Sequence, residues 1–200
     1  MTGNSSRIAV AIEAFDEANA ADPTIVEAEG REWPKELLYA RQMSAWMDRF
    51  APDASEALRL AARCQHIRRW EIPRDSYPRD RIGYLKWRTE LKLMHARIAG
   101  EILEKAGYDK DMIARVQALL KKERLKSDPE TQTLEDVVCL VFLENWFADF
   151  AKQHDPDKVV DIVAKTWTKM SPAGHEAALA MAGDLPHDAR ALVERALAAG

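Results

Sequence analysis

Basic and aromatic side chains recur at helical spacing in two segments of the sequence. The first segment carries Arg63, His66, Arg69 and Trp70, and the second carries Arg88, Lys92 and His95. Residues three or four apart share one face of a helix, so each set predicts a basic stripe. Arginine binds phosphate or carboxylate through its planar fork, and a histidine among cations can serve as a general base or a phosphate donor. If the stripes converge, with Arg41 and Arg74 nearby, they predict a pocket for a small anionic molecule.

Each of these residues also has a purely structural interpretation. A single Arg or Lys usually lies on a solvated face, and a lone histidine can be a core residue bonded to a carbonyl or a carboxylate. Rigid aromatic side chains lie among the charges, namely Trp70, Tyr77, Tyr84 and Trp87. This mixture favours a lined pocket over a solvated face, although aromatic residues fill cores as well.

The spacing of apolar residues predicts the elements that must position these side chains. Apolar residues recur every three or four positions, and no period-2 stretch is bounded by hairpin turns, so we predict an all-α protein of eight or nine helices. The predicted helices are Arg7–Ala20, Lys35–Phe50, Ser55–Arg69, Tyr84–Ala106, Lys110–Lys122, Leu134–His154, Asp157–Lys169, Pro172–Met181 and Pro186–Ala198. Ser171 and Asp109 are predicted N-caps, and Gly107 is predicted to end the helix before it.

Two segments, Ala21–Trp33 and Glu71–Gly83, show no helical pattern and are predicted loops. Loops of this length in a compact chain are often functional or mobile. One hypothesis is that Glu71–Gly83 closes over a ligand as a lid, with Gly83 as its hinge. No Gly/Ser-rich or Pro-rich linker interrupts the chain, so residues 1–200 are predicted to form a single domain.

The order of these parts resembles the HD superfamily of metal-dependent phosphohydrolases. In that family a first His, a His-Asp pair, further His and a late Asp converge from separate helices on one or two metal ions, which activate water against a phosphate ester. The matching positions here are Tyr39 to Arg41, Gln65-His66, His95 and Asp136. The resemblance implies an HD-like core over about residues 34–154, with helix 7–20 and helices 157–198 packed on it.

Two of these positions, Arg41 and Gln65, carry residues that bear on whether a metal is bound. Arginine and glutamine are poor ligands for a transition metal, so the sequence does not favour the family's metal site. If a divalent metal binds, the resemblance implies His66, His95 and Asp136 as its ligands. Asp136 also fits a capping role at a helix start over residues 133–136. Glu144 lies in an apolar helix predicted to be central, where we favour an internal pair with an arginine over a role in the pocket.

Nearly the whole chain also resembles the proteins grouped as domain of unknown function 4202. The resemblance lies in three segments, FDEANAADP from Phe15 to Pro23, QHIRRWEIPR from Gln65 to Arg74 and LEDVVCLVFLE from Leu134 to Glu144. It implies a family and brings no activity with it.

Composition and missing motifs narrow the classes of function. A balanced net charge of -4 predicts no attraction to nucleic acid or to an anionic membrane. The chain starts without a signal-peptide layout, and its longest apolar run, Val137 to Leu143, is too short for a membrane span, so we expect a cytoplasmic protein. Cys64 and Cys139 lie in apolar helical patterns and are predicted to be buried thiols. No phosphate-loop, zincin, Cys-x-x-Cys or serine-hydrolase motif is present.

Three functional hypotheses follow. The leading one is binding, with hydrolysis as an extension, of a small phosphorylated or carboxylated ligand. Its candidate catalytic residues are His66 and His95, and its candidate ligand-binding residues are Arg41, Arg63, Arg69, Trp70, Arg74, Arg88 and Lys92. The second is a metal-dependent phosphohydrolase with a rearranged metal site, and the third is a non-catalytic scaffold for a protein or an RNA end. They predict, respectively, one converging pocket, three ligands within reach of one metal, and a broad exposed patch.

Overall fold

Ten α-helices and one two-stranded sheet are present in the computed structural model, which describes residues 3–125 and 127–198. The helices are α1 Gly3–Ala20, α2 Lys35–Phe50, α3 Glu56–Arg63, α4 Arg81–Lys105, α5 Lys110–Lys121, α6 Pro129–Asn145, α7 Phe147–Lys152, α8 Pro156–Trp167, α9 Pro172–Ala182 and α10 His187–Ala198. The strands are β1 Ile25–Ala28 and β2 Arg31–Pro34. The predicted all-α class is therefore confirmed, with one small hairpin added.

The hairpin corrects the prediction of a loop over Ala21–Trp33. Ala28 pairs with Arg31, and the two residues between them, Glu29 and Gly30, both have positive φ, of 54° and 74°. A two-residue turn with two left-handed residues matches the twist of antiparallel strands. Each strand is only four residues long, and neither IVEA nor REWP alternates apolar with polar residues, which is the pattern by which a strand is recognised in a sequence.

Several helix ends follow their local sequence signals. Asp109 and Ser171 are N-caps, as predicted, and accept hydrogen bonds from the amides of Met112 and Gly174. Gly107, at φ 82°, ends α4 with the two amide bonds of a Schellman motif, since its own amide donates to Glu104 and the next donates to Leu103. These helix ends needed no tertiary information.

The predicted helix Ser55–Arg69 is wrong in its second half. α3 ends at Arg63, and the chain continues through turns and two short 3₁₀ segments, Arg69–Glu71 and Arg74–Ser76. Arg68 is left-handed, at φ 53°, and its amide donates to the Asn19 side chain of α1. A bond to α1 thus fixes a turn that no local pattern indicates, so the predicted helical stripe through Arg63, His66 and Arg69 does not form.

The predicted helix Leu134–His154 is also corrected. α6 begins five residues earlier, at Pro129 behind the N-cap Asp128, and ends at Asn145, and a separate short helix, α7, follows Trp146. This break makes ten helices of the eight or nine predicted. It also places residue 136 in the middle of α6, so the predicted capping role of Asp136 at the start of that helix is wrong.

Gly83 lies in the first turn of α4, where the backbone passes close to the preceding loop. A Cβ atom at this position would lie 2.2 Å from the carbonyl oxygen of Pro78, closer than any normal contact. The glycine therefore permits the approach of two backbone segments.

One cluster of buried apolar side chains extends from Ala11 in α1 to Ala196 in α10. The buried face of α2 contributes to it, and α2 packs against α1, α3 and α6, while α4 packs along α5. Cys64 and Cys139 are both buried and unbridged, as predicted. Within the described residues, no helix has the length and apolar character that crossing a membrane requires.

Candidate functional site

A buried group of polar side chains surrounds His66 where the α3–α4 connection meets α2 and α4. The His66 ring stacks on Tyr39 of α2, with centroids 4.2 Å apart and planes at 13°, and lies 5.9 Å from the ring of His95 of α4. Its Nδ1 atom is 3.5 Å from Glu36 Oε2, and its Nε2 atom is 3.3 Å from Arg69 Nη1. We call these five residues, Glu36, Tyr39, His66, Arg69 and His95, the His66 cluster.

The contacts of His66 define its protonation. A guanidinium can only donate, so Nε2 of His66 accepts from Arg69, and the proton of the neutral ring lies on Nδ1, facing Glu36. Burial lowers the pKa of His66 well below its ordinary range, and nearby cations lower it further, Arg69 and Arg88 foremost. The imidazole is therefore neutral at physiological pH and can act as a base or an acceptor.

His95 is neutral for a related reason. Its Nδ1 lies 2.7 Å from the carbonyl oxygen of Ile67, which can only accept, so Nδ1 carries the proton and Nε2 keeps its lone pair. Burial and, second, the neighbouring His66 lower the pKa of His95 to about 3. The two rings thus present unprotonated nitrogens inside a positively charged surrounding.

Glu36 is the carboxylate of the cluster, and it is held at the start of α2. Its backbone amide donates to Asp22 Oδ2 at 3.0 Å, which anchors the first turn of that helix. Its side chain is 7% exposed, with Arg69 Nε at 3.8 Å and His66 Nδ1 at 3.5 Å. Burial raises the pKa of Glu36, and the Arg69 and Lys35 charges offset that rise in part.

Further cations surround the cluster. Arg88 and Lys92 lie one turn apart on α4, are half-buried and have no ion pair or hydrogen bond within the described residues. Burial lowers the pKa of Lys92, and the charges of Lys122 and Arg88 lower it further. Lys122, at the left-handed C-terminal cap of α5, pairs with Glu135 of α6 in a contact where both side chains are less than one-tenth exposed. We call Arg88, Lys92, Lys122 and the exposed Lys169 the cation group.

Trp87 connects the segment 71–83 to α4. Its indole nitrogen donates to the Ile72 carbonyl at 2.8 Å, and the guanidinium carbons of Arg69 and Arg74 lie 4.9 and 5.8 Å from its ring. Arg74 also donates to the carbonyls of Tyr77 and Pro78 at 3.0 and 2.9 Å. Arg74 is thus engaged within its own loop, beside the predicted site. Trp70 is half-buried in the same connection.

Arg41 and Arg63, two of the predicted ligand-binding residues, contact Asp16 of α1 and not the His66 cluster. Arg63 forms a two-pronged pair with Asp16 of α1, at 2.7 and 2.5 Å, and donates to Ser44 Oγ. Arg41 lies 3.9 Å from the same aspartate and 4.8 Å from the centroid of the Trp33 ring. Of the predicted residues, the structure thus brings His66, Arg69, Arg88, Lys92 and His95 together, and it places Arg41 and Arg63 around Asp16.

Asp136 is directed at α9. It accepts from the backbone amide and the hydroxyl of Ser171 at 2.8 and 2.6 Å, and from Gln132 at 3.1 Å. Across the described residues, no three His, Cys, Asp or Glu side chains are placed to hold one metal ion. The three metal ligands implied by the HD resemblance are therefore not brought together. His66 and His95 are neighbours, whereas Asp136 accepts hydrogen bonds from Ser171 and so links α6 to α9.

Glu144 pairs with an arginine, as favoured from the sequence, but it is exposed and does not lie in the centre of the fold. Arg49 Nη2 donates to both of its carboxylate oxygens at 3.1 Å, and the Trp46 indole donates at 2.6 Å. The helix turns this position out of the core at its C-terminal end. Glu144 therefore links α6 to α2 on the surface.

Three contributors to the site were missed from the sequence. Glu36 follows Lys35 in an ordinary helix start, Lys122 belongs to a basic run expected to be a solvated helix end, and Glu135 was considered only as part of a cap. Lys122 and Glu135 lie 13 residues apart, at the end of α5 and in α6, and charged residues near a helix end give no local signal that they pair in the interior. Glu135 lies one helical turn before Cys139, on the same buried face of α6. That spacing is the signal in the sequence that a charged side chain lies on an otherwise apolar face.

A groove of about 500 Å³ lies elsewhere, between α4 and α5. Its lining includes Leu93, Arg97, Gly100, Ile113 and Gln117, and no member of the His66 cluster or the cation group. It has no histidine or aromatic wall, so it does not correspond to the predicted anion pocket.

The fold and site define a helical protein with two neutral histidines, His95 buried and His66 mostly buried, bordered by half-buried cations. Residues 9–193 match the family described as a domain of unknown function, DUF4202, and the chain belongs to that family, which confirms the resemblance seen in the sequence. Neither the comparison with curated proteins nor the comparison with solved structures gave a match.

Proposed function

We propose that this protein is a cytoplasmic, single-domain, HD-like helical protein that binds a small phosphorylated or carboxylated molecule beside His66. The observation that carries the proposal is the state of Arg88 and Lys92. Both are half-buried next to further cations and form no ion pair or hydrogen bond within the described residues, and the Glu135 carboxylate, whose charge acts on both, is itself paired with Lys122. Partly desolvated, mutually repelling cations are costly without a counter-charge, and an arginine fork beside a lysine suits phosphate or carboxylate.

The HD-like part of the proposal is supported by the stacking of Tyr39 on His66. These two residues occupy the positions that match the first His and the His-Asp pair of the HD layout, and they come from α2 and from the turn after α3, with ring centroids 4.2 Å apart. His95, from the next helix along the chain, lies beside them. The proposed pocket thus reuses the layout with an anion in place of the family's metal.

A binding titration tests the proposal. Inorganic phosphate and sulfate would be titrated into the protein by calorimetry at constant ionic strength, with chloride as the reference anion. Arg88→Gln and Lys92→Gln should each weaken phosphate binding about tenfold or more, since a hydrogen bond to a charged group contributes about 1.5–3 kcal/mol. Lys86→Gln, on an exposed position of the same helix, is the matched control and should leave the affinity unchanged. No phosphate binding, or equal loss in all three variants, would overturn the proposal.

Hydrolysis of the bound ligand is the second candidate, and the Glu36–His66 contact favours it. The Glu36 carboxylate, 3.5 Å from Nδ1, stabilises the positive charge that the ring acquires when Nε2 accepts a proton from water, a step that requires Arg69 to turn from Nε2 to the bound anion. Release of inorganic phosphate from phosphomonoesters, measured for the wild type and for His66→Asn, separates the two functions. Binding without release in the wild type would establish a binding protein alone.

A further inference from the structure

Two acceptor atoms beside His66 have no hydrogen-bond donor in the described part of the chain. They are Glu36 Oε2 and His95 Nε2. Both residues are more than nine-tenths buried, with exposed fractions of 6% and 4%. The Nε2 atom of His95 is an acceptor because the proton of the neutral ring is on Nδ1, which donates to the Ile67 carbonyl. Glu36 Oε2 lies 3.5 Å from His66 Nδ1, and this is an electrostatic contact without hydrogen-bond alignment.

Nearly all buried polar groups in folded proteins are hydrogen-bonded, because an unpaired acceptor loses its bonds to water and gains none. Two such atoms on neighbouring residues therefore call for donors from outside the chain. Lys122 cannot supply one, since it is paired with Glu135, and no other member of the cation group donates to either atom within the described residues. We call the more buried side of the site, at Glu36 and His95, the acceptor end, and the less buried side, at Arg88 and Lys92, the cationic end.

The charge of the surroundings selects the kind of donor. Lys35, Arg69, Arg88 and Lys122 all act on the His66 ring as positive charges. A ligand ammonium at the acceptor end would face these four cations, and Glu36 is the carboxylate facing it there. A neutral hydroxyl donates equally well and adds no charge, so it is the donor that fits this end of the site.

Resting on the proposed function, we infer that the ligand is a hydroxyl-bearing phosphomonoester, of the sugar or polyol phosphate class. Its phosphate contacts Arg88 and Lys92, and its hydroxyl groups donate to Glu36 and His95. A site with paired acceptors rejects an analogue that lacks the hydroxyl, because the acceptors are then left buried and unpaired. The specificity of this protein therefore depends on the two residues farthest from solvent.

Three three-carbon phosphomonoesters test the inference by calorimetry: glycerol 1-phosphate, propyl phosphate and 3-aminopropyl phosphate. Glycerol 1-phosphate should bind at least about tenfold more tightly than propyl phosphate, and aminopropyl phosphate should bind no better than propyl phosphate. Glu36→Met, which keeps the side-chain volume and removes the acceptor, should reduce the glycerol preference to about threefold or less while propyl phosphate binds as well or better. His95→Asn should act in the same direction while keeping a donor for the Ile67 carbonyl. Glu32→Gln, at an exposed position of β2, is the control.

The outcomes separate the two claims. If inorganic phosphate binds but the three monoesters bind equally well, the inference fails and the anion site remains. If the amine binds best, the neutral-donor argument is wrong. If neither inorganic phosphate nor any monoester binds, the proposed function fails and the inference fails with it. Should both variants fail to fold, the ratio of the three affinities in the wild-type protein still decides between these results.

Discussion

The imidazole of His66 lies face to face with the phenol of Tyr39, with the ring centroids 4.2 Å apart and the planes inclined by 13°. The stack fixes the plane of the imidazole, so that one ring nitrogen faces Glu36 and the other faces Arg69. With His95 beside it, the site contains two imidazoles that remain neutral, because burial penalises the charged form of both rings and because nearby cations oppose a further positive charge. The pH dependence of stability should report this arrangement.

The first prediction concerns His95 and acid. The pKa of His95 is about 3 in the folded protein, below the value of about 6.5 for an unfolded chain. As the pH falls below 6.5, the unfolded state takes up the proton first, so the stabilisation present above pH 6.5 is progressively lost down to pH 3. Between pH 6.5 and 5.5 the wild type should lose about 1 kcal/mol more free energy of unfolding than His95→Asn.

Urea denaturation at the two pH values measures this difference. The raised pKa of Glu36 acts in the opposite direction, since its folded form gains a proton earlier than its unfolded form as the pH falls, so the comparison must be made between variants. His187→Asn, at an almost fully exposed position, is the control and should match the wild type. Equal pH slopes for His95→Asn and the wild type would mean that His95 is not held neutral.

The second prediction is that Arg63 stabilises the fold and does not bind the ligand. Its two-pronged pair with Asp16 joins α3 to α1, and the two side chains are 11% and 22% exposed. Asp16→Asn leaves a mostly buried guanidinium without its counter-charge and should lower the free energy of unfolding by about 2 kcal/mol or more. Phosphate affinity should not change, because this pair lies away from the His66 cluster.

Chemical denaturation and phosphate titration of the same variant test both parts. Arg97→Gln is the matched control, since Arg97 forms an exposed pair with Glu101 that should contribute less than about 1 kcal/mol. A loss of phosphate binding in Asp16→Asn with stability intact would place Arg63 in the ligand site after all.

The contrast between α2 and the α3–α4 connection shows how far the sequence could predict this fold. α2 was predicted at its observed bounds, because Pro34 and the change to apolar periodicity are local signals. The connection was predicted as helix because the left-handed turn at Arg68 depends on Asn19, 49 residues away. Long-range bonds of this kind leave no periodic trace.

The same distinction applies to the site. His66, Arg69, Arg88, Lys92 and His95 were predicted together from residue type and from the order of the helices. Arg63 was grouped with them because a continuous helix would have placed it on the same face, and that helix ends at Arg63. Lys122 and Glu135 were missed because they meet through the packing of α5 against α6 and because charged residues at a helix end are normally solvated.

The third prediction concerns Asp136 and metal. Asp136 satisfies the amide and the hydroxyl of Ser171, the N-cap of α9, and the backbone at Gly174 approaches so closely that a Cβ there would lie 2.7 Å from Asp136 Oδ1. Asp136→Asn should cost about 2–3 kcal/mol of stability, since an amide cannot accept both bonds without directing its own donors at Ser171. The metal content of the purified protein should be far below one ion per chain in both the wild type and the variant.

Inductively coupled plasma mass spectrometry and urea denaturation measure these two quantities. Asp149→Asn, in an exposed pair with Lys152, is the control for stability. A nearly stoichiometric transition metal that is lost in Asp136→Asn would contradict the structural role and support the phosphohydrolase hypothesis, because the variant would then have removed a ligand.

The fourth prediction is that breaking the buried pair of Lys122 and Glu135 raises the affinity for phosphate, whereas the Arg88 and Lys92 variants lower it. Although burial alone would raise the pKa of Glu135, the charges of Lys122 and Lys169 bring it below the ordinary value, so the carboxylate is ionised and neutralises part of the cation group. Glu135→Gln removes that negative charge and leaves Lys122 available. Phosphate should therefore bind several-fold more tightly, while the free energy of unfolding falls by about 2–4 kcal/mol because Lys122 becomes an unpaired buried cation.

Bound phosphate should restore part of this lost stability, since a ligand that binds only the folded state stabilises it in proportion to its saturation. Melting temperatures of Glu135→Gln with and without saturating phosphate measure the effect, and the increase should exceed that of the wild type. Glu130→Gln serves as the control, because Glu130 pairs with Arg115 outside the site. Weaker phosphate binding in Glu135→Gln would mean that Glu135 holds Lys122 in position for the ligand, so that the pair acts as a positioning device and not as a competing charge.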